Sequence, residues 1–100
     1  MPKLGEVAEK VRSKNAGPFW VTIDIFCGTS EAYDQVTTQL TDAHVAQILQ
    51  TERQLLKRFE IPSLNVVKFS LPRPQIQGHI ADRDMHGAAL GALMAEIALS

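Results

Sequence analysis

The stretch Phe19 to Cys27 (Phe-Trp-Val-Thr-Ile-Asp-Ile-Phe-Cys) limits what this chain can fold into more than any other. It is dense in β-branched and aromatic residues. Alternation places Phe19, Val21, Ile23, Ile25 and Cys27 on one face and Trp20, Thr22, Asp24 and Phe26 on the other. A strand with large apolar groups on both sides is central in its sheet or covered. The rest of the chain therefore has to supply neighbouring strands and a covering layer.

Upstream, Leu4, Val7, Ala8 and Val11 fall at i, i+3, i+4 and i+7. This spacing predicts a short helix that ends by Gly17-Pro18, since Pro bars its predecessor from helical geometry. Downstream, Gly28-Thr29-Ser30 turns the chain, and Ser30 is read as the N-cap of a helix from Glu31 to about Thr38. Thr41 offers a second cap, ahead of a stripe of Val45, Ile48 and Leu49. The same period can run on through Leu55, Leu56 and Phe59, which writes one helix over 42–58. The competing reading ends that helix near Thr51 and makes Leu55 to Ile61 a strand. Leu55, Lys57, Phe59 and Ile61 then share one face, with Leu56, Arg58 and Glu60 on the other. Spacing leaves both open.

Pro62-Ser63-Leu64-Asn65 reads as a tight connection into a strand from Val66 to Leu71, stopped by Pro72 and Pro74. Gln75 to Asp84 is polar and reads as a surface loop. From Met85 or His86 to Leu99, Ala, Leu and Met predict a helix that buries Leu90, Leu93, Met94 and Ile97. Residues 97–100 are candidates for a last short strand. Helices lying on one face of an antiparallel sheet, an α+β sandwich, is the architecture this order predicts.

A chain of 100 residues makes a single domain, 1–100, and buries only about 60 to 70% of its unfolded surface, which favours a partner or self-association. Ten Lys+Arg against 11 Asp+Glu give a net charge of -1, with no basic tract, so nucleic-acid binding by charge is not expected. Apolar runs fall far short of the roughly 20 residues that cross a bilayer. The single Cys27 cannot form an internal disulfide, and Met-Pro-Lys-Leu-Gly-Glu lacks the apolar core of a signal peptide. A cytoplasmic domain without membrane contact is the expectation.

Two places concentrate polar chemistry. The first, Arg12-Ser13-Lys14-Asn15-Ala16-Gly17-Pro18, brings together cations, a hydroxyl, an amide and a Gly, a set suited to a carboxylate or phosphate ligand. It lacks the Gly spacing and following helix of a Walker loop, and its plainer role is a turn between two elements. The second holds His79, Asp82, Asp84 and His86 close in sequence, groups that could ligate a divalent metal. No H-E-x-x-H spacing appears there, and Asp82 or Asp84 capping the last helix explains much of it, with Gly87 allowing close packing. Asp24 is expected to pair with Lys14 or Arg12, and Cys27 to be a small buried apolar group. Tyr33 and Trp20 are read as core or interface, and Lys68 as pointing to solvent or a partner. No cofactor motif is present.

Several segments taken together resemble a small family of unknown function found with proteins of the acyclic-terpene-utilisation (AtuA-like) type. They are Leu4-Gly5-Glu6-Val7-Ala8, Arg12 to Pro18, Thr22-x-Asp24-Ile25-Phe26, Tyr33, Lys68 to Pro74, Gly78, and Asp82-x-Asp84-Met85-His86-Gly87-Ala88. A related domain attached to AtuA-type proteins carries an Arg-Ser-Gly-Asp-Lys-Gly-Asn loop and a later Asp-x-x-Gly-Lys opening a helix. Arg12, Ser13 and Gly17 match the loop, and Asp84 and Gly87 match the helix motif. Lys14 and Asn15 replace Gly-Asp, and Ala88 stands in place of Lys, so a site built on those groups would differ.

The resemblance implies a ferredoxin-like fold with Gln54 to Ile61 and Leu64 to Leu71 as its second and third strands. It also implies that Arg12, Ser13, Lys14, Asn15, Asp82, Asp84 and His86 form one polar patch, and it carries no established reaction. The expected role is a small accessory subunit or detached domain of an AtuA-like assembly, in a homo- or hetero-oligomer, that contacts a carboxylate or acyl-thioester ligand. The alternatives are a non-catalytic homodimer that binds a small anion or acts structurally, and a metal-dependent enzyme using the His79 to His86 segment.

Overall fold

In the computed structural model, residues 2–17, 19–72 and 88–99 are described. The stretch that dominates the sequence forms β2 (Trp20–Phe26), with Val21, Ile23 and Ile25 buried and the residues between them half-open. It lies inside a four-stranded sheet of order β1-β2-β4-β3, with β1 (Lys10–Asn15), β3 (Lys57–Ile61) and β4 (Val66–Pro72). Every pairing is antiparallel.

Between β2 and β3 the chain runs through α2 (Ser30–Gln39) and α3 (Asp42–Ile48), and α4 (Ala88–Ala95) follows later. A four-residue helix, α1 (Leu4–Val7), opens the described chain. Helix residues Leu4, Tyr33, Val36, Leu40, Val45 and Met94 pack with Val21, Ile23, Ile25, Val67, Phe69 and Leu71 in one core. Helices thus cover one face of an antiparallel sheet, the α+β sandwich that the element order predicts.

The topology is ferredoxin-like with one exchange. β2 and β3 run parallel on either side of β4, joined by helices, and a β-α-β-β-α-β fold would place a final strand beside β2. Here β1, from the other end of the chain, holds that edge in full register from Lys10↔Phe26 to Asn15↔Val21. This corrects the helical reading of the segment up to Val11 and the loop reading of Arg12 to Asn15. β2 presents a free edge of N–H and C=O groups that must be paired, and this pairing, not β propensity, extends Lys10 to Asn15.

With that edge taken, residues 97–99 do not join the sheet, and residue 100 lies outside the described residues. Instead Ala98 makes an isolated bridge to Lys3, flanked by Leu4 N–H to Ile97 O at 2.7 Å and Leu99 N–H to Pro2 O at 2.8 Å.

The ambiguous segment resolves as a strand. α3 ends at Ile48, Gln50 takes φ 55, and a 3₁₀ turn at Arg53–Leu55 leads into β3. Thr29, one residue before the expected cap, accepts from Ala32 N–H, and Thr41 accepts from His44 N–H as read from sequence. Pro62–Leu64 forms a 3₁₀ turn closed by Asn65 at φ 54. On α4, Met94 is fully buried, whereas Leu93 is 44% exposed, outside the buried face assigned to it; Ile97, just beyond the helix, is nearly buried, and the Leu90 side chain lies outside the described residues.

Arg58, on the inner side of edge strand β3, ties down the carbonyl end of α2. It donates to Leu40 O at 2.6 Å and Thr37 O at 3.0 Å and pairs with Asp42 and Glu60.

Candidate functional site

Because β1 is a strand, the residues of the first polar motif alternate between two sides. Lys10, Arg12 and Lys14 point outward, away from the helices, and Val11, Ser13 and Asn15 point inward. The strand pairings extend this outward row across the sheet. One rung reads Arg12, Asp24, Lys68, Phe59, and the next reads Lys14, Thr22, Ser70, Lys57. A third rung, Lys10, Phe26, Val66, Ile61, is apolar apart from its Lys. Beyond them Trp20 lies opposite Pro72, with the Lys57 ammonium 5.7 Å from the indole ring centre.

Among the described residues, Asp24 is the lone carboxylate within the strands on this face, and Glu9, just before β1, lines a neighbouring cleft with Lys10, Arg12 and Phe26. The ion pair it makes is with Lys68, Oδ1 to Nζ at 3.6 Å, and not with Lys14 or Arg12 as expected, although Arg12 lies across from it in register. At 3.6 Å the contact is an ion pair without a hydrogen bond, and Asp24 Oδ1 and Thr22 Oγ1 are buried with no hydrogen-bond partner among the described residues. Lys10, Arg12 and Lys14 have no ion-pair partner among the described residues. Arg12, Ser13, Lys14, Asp24 and Phe26 line a partly enclosed cleft of about 170 Å³. Its walls offer a guanidinium and an ammonium for an anion and an aromatic ring for an apolar tail.

The inward residues have a different task. The Ser13 hydroxyl accepts from Gly91 N–H at 2.7 Å, which satisfies a first-turn donor of α4. A Cβ at Gly91 would stand 3.0 Å from Ser13 N and 3.1 Å from Ser13 Oγ, so α4 approaches β1 backbone to backbone. Gly91 is thus a close-packing glycine of this helix, while Gly87, expected in that role, lies outside the described residues. Asn15 ends the strand, and Ala16 N–H donates to Trp20 O at 2.9 Å where the hairpin closes. Gly17 takes φ +83 there, and a Cβ at that position would meet nothing within 4 Å, which fits the plainer role of a turn.

The expected patch thus divides, with Arg12 and Lys14 at the outer cleft and Ser13 at the α4 contact. His79, Asp82, Asp84, His86 and Gly87 lie outside the described residues, and among the described ones no group of His, Cys, Asp and Glu could hold a metal ion. Cys27 is buried, and burial pushes its thiol pKa up, away from nucleophilic character.

Sequence reading did not gather Lys10, Lys57 and Phe59 with Arg12. The signal that would have found them is the period of two in Lys10-x-Arg12-x-Lys14, hidden under a helical spacing carried by Leu4, Val7 and Ala8.

No helix among the described residues is long and apolar enough to cross a membrane. A family model for a domain of unknown function (DUF4387) matches residues 4–98. No curated protein and no solved structure matches the chain.

Proposed function

The chain belongs to the DUF4387 family of domains of unknown function, and on that premise we propose that it is a binding module that holds an anionic group against β1. The observation that carries this reading is the cleft between Arg12, Lys14, Asp24 and Phe26, whose cations have no ion-pair partner among the described residues. A carboxylate or phosphate would engage the Arg12 fork and the Lys14 ammonium through charge-assisted hydrogen bonds, while Phe26 packs against an adjoining acyl segment. About 170 Å³ admits a small headgroup or a short acyl chain and not a whole acyl thioester. The remainder of such a ligand would lie on a partner.

The fuller form of this proposal is an accessory subunit or detached domain of an AtuA-like assembly that works on branched carboxylic acids or their thioesters. Its support is the set of motifs quoted above, and the shallow site agrees with it.

Calorimetric titration with a short branched carboxylate and with an acyl-coenzyme A thioester tests the site. Arg12→Ala is expected to weaken binding about tenfold or more, the cost of one charge-assisted contact, with an unchanged unfolding midpoint. Equal affinity in the variant, or a midpoint lowered as by a core mutation, sinks the site. Copurification of the tagged domain with host extract tests the assembly, which fails if mass spectrometry of the bound fraction contains no larger AtuA-like protein.

A further inference from the structure

We propose that the whole outer face of the sheet is a docking surface for a protein partner that presents acidic side chains around an apolar centre. This rests on the binding reading above only through Arg12 and Lys14, which the two share.

No described element packs on that face. Exposed there are Trp20, at 38%, and Phe59, at 48%, and beside them lie half-buried Phe26 and Ile61 with Val66 buried between them. Around these stand Lys10, Arg12, Lys14, Lys57 and Lys68 against Asp24 and, at the β1 margin, Glu9. The chain as a whole carries a net charge of -1, so the excess of cations on this side is local. A positive rim around aromatic and aliphatic side chains complements an acidic rim around an apolar patch.

Charge decides against the other occupants. Two copies stacked face to face would set Lys and Arg rows against each other, a repulsive arrangement. Single-stranded nucleic acid needs open ring faces for base stacking. Here Lys57 sits over the Trp20 ring. Four strands about 4.8 Å apart and about six residues long at roughly 3.3 Å each give a face of about 400 Å². That is about half of the ~800 Å² each partner gives to a standard interface, which points to micromolar, salt-sensitive binding.

Trp20 is the single Trp of the chain and stands on the proposed surface, so its fluorescence reports occupancy directly. The probes are poly-L-glutamate, a random glutamate–tyrosine copolymer, and oligo(dT) of matched charge. Expected is a saturable change in Trp20 emission, tightest with the copolymer and weakest with oligo(dT), with affinity falling as salt rises. Lys57→Glu, on β3 and away from the β1 cleft, is expected to weaken copolymer binding at least about tenfold and to leave binding of a short carboxylate intact. That contrast separates failure of this surface from failure of the cleft. If Lys57→Glu folds poorly, Phe59→Ala carries the same comparison.

The proposal is overturned if oligo(dT) binds tighter than the copolymer, which would mark a nucleic-acid surface. It is also overturned if no polymer gives a saturable change up to millimolar residue concentration, or if both variants bind as the parent does. Sedimentation showing a dimer that suppresses the response would assign the face to a second copy instead.

Discussion

Along β2 and β4 every second side chain is sealed beneath the helices, with Val21, Ile23, Ile25, Val67, Phe69 and Leu71 between 0% and 1% exposed. Their neighbours Thr22, Asp24, Lys68 and Ser70 lie half-open on the other side of the same strands. The two faces share one backbone and one set of hydrogen bonds and differ only in what their side chains meet. The inner face specifies the fold, because apolar area leaves water there. The outer face contributes little to folding and is free to hold charges, a buried carboxylate oxygen without a hydrogen bond and exposed rings. Groups that folding does not need, gathered on one side, are the physical reason to look for function there.

The sharpest break of this comparison is a matched pair of truncations. Phe69→Ala, at the centre of the inner face and fully buried, is expected to cost about 3 to 5 kcal/mol through lost transfer energy and the cavity left behind. Phe59→Ala, on the outer face and 48% exposed, is expected to stay within about 0.5 kcal/mol. Urea unfolding of both variants checks the contrast. Comparable losses would mean that the outer face is also folding core and would remove the argument for a free surface.

A smaller effect separates β1 from its neighbours. β1 has a single apolar inner residue, Val11, since Ser13 and Asn15 stand where β2 has Ile23 and Val21, and at Ser13 its inner contact is the backbone of α4 at Gly91. Gly91→Ala is expected to destabilise by up to about 2 kcal/mol. Crowding of Ser13 costs about 1 to 3 kcal/mol, and the better helix former recovers about 1. Ser13→Ala leaves the Gly91 N–H without its acceptor and is expected to cost about 1 kcal/mol. Because the two residues touch, the double variant should be non-additive in urea unfolding. Strict additivity would place the strain elsewhere.

The same contrast explains how much could be read beforehand. β2, β4 and the caps at Thr29 and Thr41 were legible because alternation and hydroxyl caps are local signals; only the first cap shifted, by one residue. β3 needed the family resemblance, since Leu55, Leu56 and Phe59 satisfy both a period of 3.6 and a period of two. β1 was illegible for a physical reason. A strand whose inner face packs on a helix backbone through glycine carries no apolar alternation, and the demand that creates it sits on the free edge of β2, not in its own residues. Arg12 and Lys14 were singled out as anion-binding candidates from composition. Their outward direction, and their company with Lys57, Lys68 and Phe59, depend on pairings between residues distant in sequence.

The smallest effect uses thiol chemistry as a probe of each face. Cys27 continues the inner row of β2, and burial raises its pKa above the ordinary thiol value. The folded chain therefore keeps a proton that the unfolded chain loses near pH ~8.5. The associated stability is fully present below that pH and is lost as pH rises through the higher folded value. Relative to Cys27→Ala, the parent should thus lose stability only on the alkaline side, in urea midpoints measured from about pH 7 to about pH 10. Moving the thiol outward by Ser70→Cys in the Cys27→Ala background is expected to speed alkylation near pH ~8 by about tenfold or more, because thiolate and access both increase. Equal rates would mean that Cys27 opens to solvent as readily as the outer row. The inner face would then be loosest where β2 ends, and the separation of a folding face from a binding face would have to stop short of that strand end.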